Sequence, residues 1–145
     1  VRPFEGAPFE GDVKPGLEAI EQREYGARIF IEGRAKNDGA VSSVDIDASM
    51  SADFPQAPRW DYGIWLGGKK PKIAYVEAHK AESGEVDLVL RKQRWLKDLL
   101  VATNLPESRW FWLTTGKNKI PPQSSHMRRL NLAGIRLEAR TIVLS

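Results

Sequence analysis

Arg59-Trp-Asp-Tyr-Gly-Ile-Trp-Leu66, Gly67-Gly-Lys-Lys-Pro71 and Lys72-Ile-Ala-Tyr-Val-Glu-Ala-His79 run consecutively, and their reading decides the fold of this chain. The first block alternates with the period of a strand, which sets Trp60, Tyr62, Ile64 and Leu66 on one face and Asp61, Gly63 and Trp65 on the other. Glycine, lysine and proline fill the segment between the blocks, a turn chemistry short enough for a hairpin. The second block puts Ile73, Tyr75, Glu77 and His79 on one face and Ala74, Val76 and Ala78 on the other. Beyond it Ser83 is a suitable N-cap, Glu85 and Asp87 suit a first turn, and an amphipathic helix is predicted as far as about Ala102.

That helix carries the most informative residue. Leu88, Val89, Trp95, Leu96, Leu99 and Leu100 recur at helical spacing, and Lys92 falls inside their stripe, whereas Arg91, Arg94 and Lys97 fall outside it or at its edge. A buried ammonium without a partner costs several kcal/mol, so Lys92 requires a carboxylate. If the helix packs back on its own hairpin, Asp61 and Glu77 are the nearest ones. Two carboxylates and a lysine converging at a sheet edge are the equipment of metal-assisted phosphodiester hydrolysis. Magnesium takes a few hard oxygens and keeps several waters, polarises a phosphoryl oxygen and acidifies the attacking water, while the lysine stabilises developing negative charge. The competing reading is an internal salt bridge tying helix to sheet. His79 shares a strand face with Glu77 and is a candidate metal ligand, acid/base group or phosphate contact; Gln93 reads as helix surface and Lys80 as solvated charge.

The whole chain sets the frame for these residues. At 145 residues, 41% hydrophobic and 28% charged, it reads as one ordinary globular domain. It shows no apolar run of membrane-spanning length and no charged-then-apolar leader, and its lack of cysteine excludes disulfides, thiolate metal sites and a cysteine nucleophile. A cytoplasmic location is the corresponding expectation. A net charge of +3 and a pI near 9.3 permit a polyanionic partner without demanding one.

Residues 1–15, rich in proline and glycine, read as an extended arm before a domain over residues 16–145. Lys14-Pro-Gly16 opens a helix with Leu17, Ile20, Ala27 and Ile31 near one face, although Ala27–Glu32 can also be read as a strand, and Asn37-Asp-Gly39 is a turn. Asp45 and Asp47 read first as turn and cap residues, with Asp47 the N-cap of a short helix; help with a metal is their second reading. After the central helix, Arg109–Thr115 is a strand covered on both faces and Gly116–Pro122 a basic loop. Ser124 or Ser125 caps a short helix that Gly134 ends, and Arg136–Leu144 forms a last strand. The order predicts an α/β domain, a central mixed sheet with helices on its faces. Arg91, Arg94, Lys117, Lys119, Arg128 and Arg129 make a phosphate-tracking surface if they share a face, and Trp60 or Trp65 would stack on a base if exposed.

From Asp61 to Lys92 the chain resembles the PD-(D/E)xK nuclease superfamily, whose members share the restriction-endonuclease-like fold. That family carries an acid on one strand and, on the next, an acid, any residue and a lysine. Here Asp61 is the first acid and Glu77-Ala-His79 the second block, so histidine stands at the lysine position. Lys92 matches the members that carry the lysine on the following helix. Arg59-Trp-Asp-Tyr62 and Val76-Glu-Ala-His79 also look like blocks of bacterial proteins of this type. The resemblance implies a single restriction-endonuclease-like domain that hydrolyses nucleic acid, DNA before RNA, with Mg2+ or Mn2+ on Asp61 and Glu77 and catalysis by Asp61, Glu77, His79 and Lys92. A homodimer or a protein partner is compatible with it. The alternative is a non-catalytic interaction or nucleic-acid-binding module in which the same charges form a structural network.

Overall fold

Tyr62–Leu66 and Lys72–His79 pair antiparallel, Tyr62 opposite Val76 and Leu66 opposite Lys72, so the two blocks form the expected hairpin. The computed structural model describes residues 1–21 and 24–145. In chain order its elements are β1 (Lys14–Pro15), α1 (Glu18–Glu21), β2 (Ile29–Ile31), β3 (Val41–Asp45), α2 (Ile46–Met50), β4 (Tyr62–Leu66), β5 (Lys72–His79), α3 (Val86–Leu99), β6 (Ser108–Thr114), α4 (Ser125–Leu132), β7 (Ile135–Glu138) and β8 (Ile142–Leu144). Six strands make a mixed sheet in the order β1-β3-β4-β5-β6-β7, antiparallel as far as β5 and parallel beyond it; β2 and β8 make a separate parallel pair. The parallel half follows from connectivity, since α3 and α4 are the crossovers that parallel strands require. Among the described residues no helix is long and apolar enough to cross a membrane.

Alternation sorts the sheet into two cores. Tyr62, Ile64, Leu66, Ala74, Val76, Phe111 and Leu113 pack with Leu17, Ile20 and the β2–β8 pair on one side. Trp65, Ile73, Tyr75, Trp110 and Trp112 pack with Val86, Val89 and Leu96 of α3 on the other. The β6 strand is covered on both faces, as its nearly continuous apolar run predicts. Trp60 departs from the reading. It precedes the β4 ladder, so strand alternation does not govern it, and its ring lies edge-on to Trp110 at 4.9 Å, on the α3 side. With Trp65 at 3% exposure and Trp60 at 0%, neither is available to stack on a base.

Several boundaries also differ from expectation. Asp45, not Asp47, caps α2, accepting the Ala48 N–H at 2.9 Å. Ser83 opens a 3-10 turn over Ser83–Glu85 instead of capping α3, which therefore starts at Val86. The helix expected after Gly16 is short; the 3-10 turn Glu24–Arg28 and the strand β2 follow it, and Gln22 and Arg23 lie outside the described residues. Ser124 is the cap of α4, accepting the Met127 N–H at 3.1 Å. The single last strand expected over Arg136–Leu144 is two strands in two sheets, β7 and β8. Arg28 holds the bend between them, donating to the carbonyls of Ala139 at 2.8 Å and Arg140 at 2.7 Å, and to Thr114 of β6 at 2.9 Å.

The extended arm expected over residues 1–15 is instead part of the domain. Phe4 and Phe9 are both fully buried, and Phe4 meets the Phe9 and Trp65 rings at 5.6 Å. Gly63 makes room for it, because a Cβ there would lie 3.0 Å from the Phe4 ring. Phe4 adopts φ 57°, a left-handed conformation that costs about 1–2 kcal/mol, less than burial of a phenyl ring returns. Phe4→Ala should therefore lose about 3–5 kcal/mol of stability in urea titration; a loss below 1 kcal/mol would mean that the segment does not dock in solution.

Candidate active site

Register brings the two acids together. Because Tyr62 faces Val76, the preceding Asp61 comes opposite Glu77, on the side of the sheet that α3 covers. The pairing is clasped by side chains: the Asp61 N–H donates to Glu77 Oε1 at 3.1 Å, and the Ala78 N–H donates to Asp61 Oδ2 at 2.9 Å. The Asp61 carbonyl in turn accepts the N–H groups of Ile46 at 2.8 Å and Asp47 at 3.3 Å, so the first turn of α2 fixes its backbone. Lys92 reaches down from α3 to donate to Glu77 Oε2, and its Nζ lies 4.0 Å from Asp61 Oδ1. The lysine inside the apolar stripe has found both carboxylates that its position demanded.

Charge is poorly balanced in this cluster. Glu77 is fully buried and Asp61 one-fifth exposed, with one ammonium between them. Burial first, and the neighbouring Asp61 second, push the Glu77 carboxyl up to about 8 against the pull of Lys92. Burial likewise raises Asp61, opposed by Lys92 and the Ala78 N–H and assisted by the negative charges of Asp47 and Asp45. Burial acts to lower Lys92, but Glu77 and Asp61 outweigh it and hold the ammonium above its usual range. The cluster therefore favours one more positive charge, whether a proton or a cation.

Two carboxylate oxygens, Asp61 Oδ1 and Glu77 Oε2, face a single cationic point, the Lys92 ammonium. Hard oxygens from two carboxylates are what magnesium or manganese takes when a substrate supplies the remaining donors, so the donor set fits such an ion. Among the described residues no group of three or more His, Asp and Glu side chains is gathered as a metal cage.

His79 does not join the carboxylates. Its ring pairs through Nε2 with Glu85 at 2.8 Å, on the turn leading into α3, and Lys80 meets the same carboxylate at 3.4 Å. Asp47 is paired with Arg59 at 2.9 Å, a contact between a short helix and the segment before β4 that no local pattern in the sequence signals. Gln93, read as surface, is 5% exposed and donates to the Ala133 carbonyl at 2.9 Å, linking α3 to the end of α4. Helical spacing did contain that signal, since Val86, Val89, Gln93 and Leu96 are the buried residues of α3.

The six candidate nucleic-acid contacts divide. Arg91, Arg94 and Arg129 share an open groove between α3 and α4. Arg128 donates to the Gln123 carbonyl at 3.2 Å, Lys119 stands 3.7 Å from Glu82, and Lys117 is exposed on the loop after β6. Lys97 lies 5.6 Å from the Trp110 ring and belongs to neither group. No protein-family model matches this chain, and no curated protein or solved structure matches it.

Proposed function

We propose that this protein is a metal-dependent nuclease of the PD-(D/E)xK type that cleaves phosphodiester bonds of nucleic acid, DNA in the first place, in the cytoplasm. The observation that carries the reading is the convergence of Asp61 Oδ1 and Glu77 Oε2 on Lys92, with the acids on neighbouring strands and the lysine on the next helix. Asp61 and Glu77 would hold Mg2+ or Mn2+, which supplies polarisation of a phosphoryl oxygen and a water of lowered pKa. Lys92 offers a fixed donor to the negative charge that develops on the phosphate. Ala78 keeps Asp61 Oδ1 available by occupying only Oδ2. His79 serves by holding Glu85 at the start of α3, a positioning role in place of the proton-transfer role that its strand face suggested.

A second reading, a non-catalytic module, has its own support in the closure of the network: both Glu77 oxygens are bonded within the chain and its side chain is fully buried. Plasmid and single-stranded DNA incubated with Mg2+ or Mn2+ separate the two. The nuclease reading expects cleavage by the parent chain and a loss of at least about 100-fold in Glu77→Gln, the size of effect seen when one such stabilising group is removed. An inactive parent chain with both ions and both substrates would select the module.

A further inference from the structure

The groove between α3 and α4 has a volume of about 660 Å³ and is lined by Asp87, Leu90, Arg91, Arg94 and Arg129. Three guanidiniums thus face one carboxylate. Asp87 is taken by Arg129 at 2.6 Å, and its carboxyl is held below the usual range by Arg129 first, with Arg91 as a further positive neighbour. Arg91 and Arg94 form no ion pair among the described residues and are exposed. Each is a planar fork suited to phosphate oxygens, and the partly buried Leu90 gives the groove an apolar wall.

The groove is separate from the carboxylate cluster. Successive helical residues turn by about 100°, so Arg91 projects about 100° and Arg94 about 160° around α3 from Lys92. Asp87 and Leu90 fall on the arginine side, while Lys92 turns to β4 and β5. Anything held by these arginines lies across the breadth of the helix from Asp61 and Glu77. An anionic chain long enough to occupy both places would be a polymer.

We propose that Arg91, Arg94 and Arg129 form an anchoring groove for the phosphate backbone of a nucleic acid, gripping it at a distance from the bond that is cut. The proposal rests on the nuclease reading for its choice of polymer, but binding can be measured without cleavage. A fluorescein-labelled duplex of ~20 base pairs is titrated with the parent chain and with the Arg91→Ala/Arg94→Ala double variant in EDTA, across a series of salt concentrations. With two phosphate contacts removed, the salt slope should fall by about 2 and affinity should drop uniformly across sequences. An Arg91→Lys/Arg94→Lys variant should keep most of the slope while losing part of the affinity. Equal affinity and slope in the parent and the alanine variant would overturn the groove, and so would a polyglutamate peptide that competes as well as unlabelled DNA. The result is independent of cleavage: DNA binding lost with the arginines, in a chain that cuts nothing, would sink the nuclease and leave the anchor standing.

Discussion

Lys92→Met will unfold at lower urea concentration than the parent chain, and the gap will widen as the pH rises. Methionine preserves most of the lysine stem and removes the ammonium, so packing against the apolar stripe of α3 is largely retained. What is lost is, among the described residues, the only cation paired with Glu77 and Asp61. Without the ammonium that pulls the Glu77 carboxyl down, Glu77 in the variant keeps its proton to higher pH than in the parent chain, so above pH 8 the variant goes on losing stability when the parent no longer does, by about 1.4 kcal/mol for each further pH unit. At pH 5.5 Glu77 already carries a proton, because burial and Asp61 place its titration near 8, and the loss should shrink to about 1 kcal/mol, the worth of one hydrogen bond. Parallel urea titrations at the two pH values decide it. A loss of equal size at both would show that Glu77 ionises normally and that the cluster is not starved of positive charge. In the nuclease reading the same variant also loses turnover at saturating substrate, a readout that a purely structural salt bridge would leave without meaning.

The second large effect couples pH to divalent ions. In the folded chain Glu77 holds its proton up to about pH 8, and in the unfolded chain only up to its ordinary 4.5. Between those values the folded state binds more protons, so stability falls as pH rises, by an amount on the order of 5 kcal/mol across the range. Asp61, also raised, adds to the fall in the acidic part of it. Lys92 does not oppose this: its raised pKa gives stability that is present throughout and disappears only above its usual 10.5. A divalent ion needs both carboxylates ionised and therefore competes with the proton. Melting curves with and without 10 mM Mg2+ or Mn2+ should coincide at pH 5.5 and separate at pH 8, where an ion present at about 100 times its Kd restores about 2.7 kcal/mol. Stabilisation of equal size at both pH values would point to ions bound elsewhere on the protein; none at pH 8 would remove the metal from the proposed chemistry.

The hairpin and the acid–lysine cluster were legible because each rests on a period. Alternation in Tyr62–Leu66 and Lys72–His79 fixes a register, register fixes which side chains oppose each other, and a lysine within an apolar helical stripe announces its need for a partner. The misreadings lie where no period operates. Trp60 was assigned by extending the β4 alternation past its first ladder residue, into a segment whose backbone is set by α2. The opening fifteen residues contain 3-10 turns and no long element, so only the bulk of Phe4 and Phe9 hinted that they complete the core. The run from Arg136 to Leu144 reads as one strand in sequence but is two strands in space, because Arg28, more than a hundred residues away, captures the carbonyls at the bend. His79 shows a different limit. Strand parity puts it on the Glu77 side, beside the Trp112 ring, but a shared face does not choose a partner, and its ring pairs with Glu85 and not with the two acids. The arginine groove required the meeting of α3 with α4, a tertiary contact that no local pattern encodes.

The reciprocal clasp between Asp61 and Glu77 ties the site to the opening of the hairpin. Each acid accepts a main-chain proton on or beside the opposite strand, at Asp61 and at Ala78, so each carboxylate is held toward the other by a bond that continues the pairing beyond the last ladder residue, Tyr62 opposite Val76. A slip of one position would break both bonds and turn the Glu77 side chain into the opposite core. The meeting of the two acids thus depends on the β4–β5 pairing. Mutations that weaken that pairing from behind, among Ile64, Ala74 and Val76, would change how much of the time the acids face each other, without touching either of them.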